Sequence, residues 1–237
     1  MTDLPENLFA NPVWSALHSE QSHFGLTNQN ACRYPAEVLP FGALAEGNRA
    51  SMEQLHALLG SGESIWFIAE PYSEIPQLTR QETLPCLQMV LPENISPPES
   101  PMAIAPLSCA NTREMVALTT LAFPGFFRPR TCEMGSYYGV RSSSGELIAM
   151  GGERLKLDGF SEISAVCTHP SFRGQGFAAR LIWEVVRKQR REGVTSFLHV
   201  SAANYNAIKL YLGMGFQVTR TLILHRVSRK DSCAAQS

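Results

Sequence analysis

Between Glu162 and Thr168 apolar and polar side chains alternate. Ile163, Ala165 and Cys167 fall on one face and Glu162, Ser164, Val166 and Thr168 on the other, which is the period of a β-strand. His169-Pro170 closes that strand, because proline carries no N–H for the ladder and holds its predecessor extended. After a short glycine-rich segment the period lengthens. Ala178, Leu181, Ile182, Val185 and Val186 form one stripe, with Arg180, Glu184, Arg187, Lys188, Arg190 and Arg191 opposite, so an amphipathic helix is predicted with its basic end at the negative pole of the dipole. Gly193 is the expected C′ residue. Val194 to Val200 reads as the next strand. Asn204 and Tyr211 then share one face of a further helix, about 10 Å apart along its axis.

The remaining patterns are shorter. Asn11-Pro12 starts a helix, with Asn as N-cap and Pro at the first position, and Ser51 to Leu59 predicts another that Gly60 ends. Phe41 to Ala45, Ser64 to Ala69 and Cys86 to Val90 read as short strands, so residues 1–91 form an N-terminal α/β domain. Residues 92–101, rich in proline, read as a semi-rigid linker. A second domain spans 102–227: a strand over Met102 to Leu107, a helix from Asn111 or Thr112 through Ala122, an aromatic and basic loop from Phe123 to Arg130, and strands over Tyr137 to Arg141 and Glu146 to Leu157. Residues 228–237 are a polar tail.

The turn Arg173-Gly174-Gln175-Gly176-Phe177-Ala178 carries the chemistry. Two glycines let the main chain come close to a ligand and turn its N–H groups inward just before a helix begins, which makes an anion site. Gly174 to Ala179 also satisfies a relaxed dinucleotide fingerprint, G-x-G-x-x-A. The following strand ends His199-Val200-Ser201, however, without the acidic residue that fold places on the ribose. Arg173-x-x-Gly176-x-Ala178 resembles instead the acyl-CoA pyrophosphate loop, Q/R-x-x-G-x-G/A, of the GNAT superfamily of CoA-dependent N-acyltransferases. The resemblance continues through Asn204, Ala207, Leu210-Tyr211 and Gly213-Met214-Gly215-Phe216, and covers roughly residues 102–227.

That resemblance implies an α/β fold with a mixed, mostly antiparallel central sheet flanked by helices, beside a smaller N-terminal α/β domain for which a degenerate copy of the same fold is one reading. It implies acetyl-CoA, or another short acyl-CoA, as co-substrate and direct transfer to the primary amine of a small molecule. Val166, Cys167, Thr168, Arg173, Gly174, Gln175, Gly176, Phe177, Ala178 and Asn204 would hold the cofactor, with a main-chain N–H near Val166 polarising the thioester at a strand bulge. Tyr211 would protonate the leaving thiolate and Glu162 would act as base. Phe123, Phe126, Phe127, Arg128 and Tyr138 would wall the acceptor site, which would suit a smallish amine with an apolar part and a carboxylate. Local chemistry offers a plainer role for each: Asn204 as an N-cap, Tyr211 and the aromatics as core, Glu162 as a paired carboxylate. A non-catalytic acyl-CoA sensor is the alternative from a different class.

Composition narrows the partners. A net charge of −1 over 237 residues carries no nucleic-acid footprint, and no apolar run reaches membrane-spanning length. With no basic n-region and apolar h-region at the start, a cytoplasmic location is expected, and a homodimer remains open. Six scattered cysteines without C-x-x-C spacing predict buried free thiols and no metal.

Overall fold

The computed structural model describes residues 6–98 and 103–230. Cys233, the end of the predicted linker and most of the predicted tail lie outside the described residues.

The chain forms two compact units. One begins with α1 (Glu6–Ala10) and α2 (Pro12–Leu17), where the Asn11 side chain accepts from Trp14 N at 3.2 Å and Pro12 follows, the cap that the sequence predicts. Three strands, β1 (Leu26–Asn28), β2 (Ala31–Arg33) and β3 (Gly42–Leu44), pair antiparallel in that order. The helix α3 (Arg49–Ala57) starts earlier than expected, because Asn48 rather than a later residue caps it, accepting from Ser51 N at 2.9 Å. The strands β4 (Ser64–Ile68) and β5 (Leu78–Val90) follow. Leu55, Ile65 and Phe67 fill the core of this unit.

The other unit takes Ala36–Leu39 and Leu87–Arg220. Its elements are β6 (Ala105–Leu107), α4 (Thr112–Ala122), β7 (Tyr137–Arg141), β8 (Leu147–Leu157), β9 (Phe160–Thr168), α5 (Phe177–Arg191), β10 (Thr195–Ser201) and α6 (Tyr205–Gly213), and the chain continues into β11 (Gln217–Arg229). Here the strands lie in the order β5-β10-β9-β8-β7-β6. Only β9 and β10 are parallel among the registered neighbours from β10 to β6; β8-β9, β7-β8 and β6-β7 are antiparallel. The stripe Ile182, Val185 and Val186 of α5 packs with Ile163, Leu198, Val200 and Phe216 on one face, while Met115 and Leu118 of α4 pack with Met150, Ala165 and Cys167 on the other.

β9 does not keep the strict alternation that the sequence suggests. Met150↔Cys167 and Gly152↔Ser164 are paired rungs, so β9 carries one residue more than β8 between them, and Ala165 adopts a left-handed φ of 55°. The bulge moves Val166 onto the α5 face beside Ile163 and keeps Cys167 with Ala165 on the α4 face.

Three other expectations are corrected. The units do not divide at residues 91 and 102: Ala36–Leu39 belongs with the later strands, and the chain from Thr221 onward with the earlier ones, because β11 pairs antiparallel with β4 from Leu224↔Ile68 to Ser228↔Ser64. The segment 92–98 is no free spacer. Arg190 of α5 donates to the carbonyls of Pro92 at 2.9 Å and Ile95 at 3.0 Å, and to that of Glu93, while Arg187 reaches Pro98 O at 2.7 Å. Finally, Cys109 and Cys132 form a disulfide. Twenty-three residues apart in sequence, their Cα atoms come within 5.4 Å where α4 folds the chain back, whereas Cys32 and Cys167 remain buried thiols.

Candidate active site

The cleft begins where β9 and β10 part. Their parallel rungs run Thr195↔Phe160, Ser196↔Ser161 and Phe197↔Glu162 and stop there, and the bulge at Ala165 follows on β9. A cleft of about 530 Å³ lies beyond, lined by Val166, Cys167 and Thr168 of β9, the turn from Arg173 to Ala179, Asn204, Ala207 and Leu210, with Ala122 and Phe123 from the end of α4.

The turn is shaped for an anion. Gly174 and Gly176 have φ of 81° and 76°, and a Cβ added to either would meet nothing within 4 Å, so glycine is required by backbone conformation and not by crowding. Gly176 takes the N-cap place of α5 without a side chain to bond the first turn. Among the described residues, the N–H groups of Gly174 to Ala179 have no hydrogen-bond acceptor in the protein. A row of donors at the positive end of a 15-residue helix is the arrangement that binds phosphate. The Arg173 side chain turns back, its Nε donating to Thr168 O at 3.4 Å, so main-chain donors make the cradle.

Asn204 does what its residue type most simply does: its side chain accepts from Ala207 N at 3.2 Å and caps α6, and the residue also lines the cleft. Two turns on, Tyr211 stands edge-on to Phe216 with ring centroids 5.7 Å apart, in the same apolar cluster as Val166. Burial pushes its phenol up to about 12. Cys167 lines the cleft with its thiol likewise pushed up to about 12 by burial.

Glu162 is not in the cleft. It is fully buried at the last rung before the strands part, and its carboxylate is already occupied. Arg154 donates to both oxygens at 2.8 and 2.6 Å, Leu155 N donates at 3.2 Å, and His199 Nδ1 lies 2.7 Å from Oε1. Burial alone would raise its pKa, but the Arg154 guanidinium and then His199 outweigh it and hold the carboxyl well below the usual range. A carboxylate of such low proton affinity, with its lone pairs committed, is a poor general base. A second buried carboxylate, Glu153, is tied in the same manner to Lys188 at 2.7 Å, Ser136 N at 3.0 Å, Ser161 at 3.0 Å and Gln189 at 3.2 Å. Both are structural ties among β8, β9, β10 and α5.

The predicted acceptor wall divides. Phe123 reaches the cleft. Phe127 is core, packed edge-on against Tyr137 at 5.6 Å, and Tyr138 lies against the α5 face with Leu181 and Phe177. Phe126 and Arg128 are half-buried in the loop after α4. Sequence reasoning missed Ala122, Phe172, Ala179, Asn206, Ala207 and Leu210 as cleft residues; the α6 positions are signalled by helical spacing from Asn204, the others by nothing local.

The fold and cleft define an α/β protein with a row of main-chain donors at the start of α5 beside two parting parallel strands. The family described as FR47-like protein matches residues 137–224, which run from β7 into β11. A GNAT-family protein from Novosphingobium aromaticivorans DSM 12444 is 33% identical over 93% of this chain and 98% of its own, with a TM-score of 0.86. Proteins described as GCN5-related N-acetyltransferase from Kribbella flavida (15% identity, 99% of each chain, TM-score 0.61) and GCN5-related N-acetyltransferase-like from Streptococcus suis 89/1591 (12% identity, 96% and 95%, TM-score 0.63) share the fold. No curated protein matches. The chain belongs to the GNAT acetyltransferase family.

Proposed function

We propose that this protein is an N-acyltransferase that moves an acetyl or other short acyl group from acyl-CoA to the primary amine of a small molecule, directly, within a ternary complex. The observation that carries the reading is the row of unpartnered N–H groups from Gly174 to Ala179 at the uncapped start of α5. These residues and Asn204 would hold the pyrophosphate and pantetheine of CoA, which supplies the activated thioester. The freed edge of β9 from Ile163 to Thr168 and its bulge offer main-chain donors for the thioester carbonyl. Tyr211, which packs in the apolar cluster with Val166 and does not itself line the cleft, keeps its proton at neutral pH and would supply it to the departing thiolate.

Cys167 favours direct transfer over a covalent acyl-enzyme, because burial pushes its thiol up to about 12 and leaves little thiolate. Among the described residues neither a carboxylate nor a histidine lines the cleft, which favours an amine that arrives in its neutral form. The rate is then expected to rise with pH along the acceptor amine's own titration.

The test is product formation, read by mass spectrometry, from acetyl-CoA and a pool of small amines and amino acids. An N-acetylated product is expected, with kcat lowered about a hundredfold or more in Tyr211→Phe and CoA affinity kept. Tight CoA binding without product from any pool member would favour the sensor, and absence of CoA binding would refute both.

A further inference from the structure

The last rung between β9 and β10, Phe197↔Glu162, is backed by side chains that tie four strands together. His199 stands two residues beyond it on β10. Its neighbours Leu198 and Val200 pack with α5, so its ring lies on the opposite face of the sheet, with Phe197 and Glu162. From there the imidazole reaches back across the parting strands. Nδ1 donates to Glu162 Oε1 at 2.7 Å, and Nε2 accepts from Gln88 Nε2 of β5 at 3.0 Å. An amide nitrogen only donates, so the ring carries its hydrogen on Nδ1 and both bonds are satisfied together. Phe197 meets the imidazole edge-on, with ring centroids 5.7 Å apart. Glu162 in turn takes two bonds from Arg154 of β8. The row Gln88, His199, Glu162, Arg154 therefore crosses β5, β10, β9 and β8 in the order in which they lie in the sheet.

The row sits at the fork. Up to Glu162 main-chain rungs join β9 to β10, and beyond it the two strands carry opposite walls of the cleft. Val166, Cys167 and Thr168 of β9 form one wall; Asn204, Ala207 and Leu210, on the helix that follows β10, form the other. A main-chain bond at the open end of a ladder adds little net stability, so an unassisted fork frays easily. A hydrogen bond to a buried carboxylate is about twice as strong as a neutral one, and this one spans the strands at the point where they separate.

Resting on the acyltransferase reading, we propose that His199 is a positioning residue: it halts the parting of β9 and β10 at Glu162 and so sets the width of the cleft that would take the pantetheine arm of acyl-CoA. It lines no part of the cleft and touches no reacting atom. With the bridge cut, the fork runs back into the rungs at Ser161 and Phe160, and the α6 wall moves away from the β9 edge. The turn before α5 keeps its shape, because its donors are main-chain groups set by Gly174 and Gly176.

The experiment compares the full chain with His199→Leu and His199→Asn. The leucine variant removes the bridge but leaves Glu162 paired with Arg154 and Leu155 N, so the fold is expected to persist. The asparagine amide stands close to the place of Nδ1 and keeps a donor for Glu162. Hydrogen exchange read by mass spectrometry without ligand is expected to be about tenfold or more faster at 160–162 and 195–198 in His199→Leu, with the rest of the chain unchanged and His199→Asn close to the parent. Calorimetry then compares acetyl-CoA with the nucleotide diphosphate half of CoA, which lacks the pantetheine arm. In His199→Leu acetyl-CoA is expected to bind about tenfold more weakly while the nucleotide half binds as before, and His199→Asn should restore most of the difference. Three results would overturn the proposal: exchange at the fork that His199→Leu leaves unchanged, exchange that quickens evenly over the whole chain, or equal weakening of both ligands. If neither ligand binds the parent, the acyltransferase reading falls, and the exchange pattern alone decides whether His199 holds the fork.

Discussion

The charge of Glu162 neutralises Arg154 and orients His199 inside the sheet. Replacing one member of a buried pair leaves the other unpaired, so Glu162→Gln is expected to destabilise the fold by about 3–5 kcal/mol, measured by denaturant unfolding. The pH dependence has a definite sign. The folded-state pKa is depressed, so the carboxylate's stabilisation is complete above the free glutamate value near 4.3 and fades as pH falls below it; acid unfolding of Glu162→Gln should be correspondingly shallower. None of this is legible locally, because Arg154 lies across a hairpin turn and His199 on another strand, 37 residues away. Ala165 is a second case. Its side chain sits in the left-handed region, where a β-branched residue is strongly disfavoured, so Ala165→Val should shift the bulge and weaken CoA binding, while Ala165→Gly should leave it intact.

At the scale of elements, the strand, glycine turn and helix from Glu162 to Arg191 were legible because each signal is local: alternation, two glycines and one amphipathic stripe. The short strands β1 and β2, three residues each, are below the length at which alternation can be seen. The cysteine pair was illegible for another reason. Its closeness depends on α4 and the loop after it returning to their starting point, which spacing alone does not encode. Cys109 is exposed and Cys132 buried, so the bond is open to attack by a thiol from one side. Reduction, or Cys132→Ser, is expected to lower stability by about 3 kcal/mol, the loop-closure value for such a separation. Because Ala122 and Phe123 lie within the closed loop, acceptor KM should rise on reduction while CoA affinity holds, a split that steady-state kinetics with and without a dithiol reductant would read.

The sequence divided the molecule into consecutive halves, whereas the units take their residues alternately from the chain: 36–39 with 87–220 in one, 40–86 with the chain from 221 onward in the other. The reason is physical. β4 finds its registered partner in β11, and the carbonyl of Val38 meets the hydroxyl of Thr131 ninety-three residues away, so pairings at long separation decide membership that composition cannot reveal. Expressing residues 102–227 alone would therefore remove Glu37 and Val38, and with them a tether of Arg130 and one of Thr131. That fragment is expected to be digested rapidly by protease in the loop after α4 under conditions where the full chain resists. The same interleaving bears on how such a protein can change over evolutionary time. Since the described residues of one unit fall between stretches of the other and are themselves split by residues 40–86, neither unit corresponds to one continuous stretch of gene, and a single recombination event that exchanged a continuous cassette would cut through both.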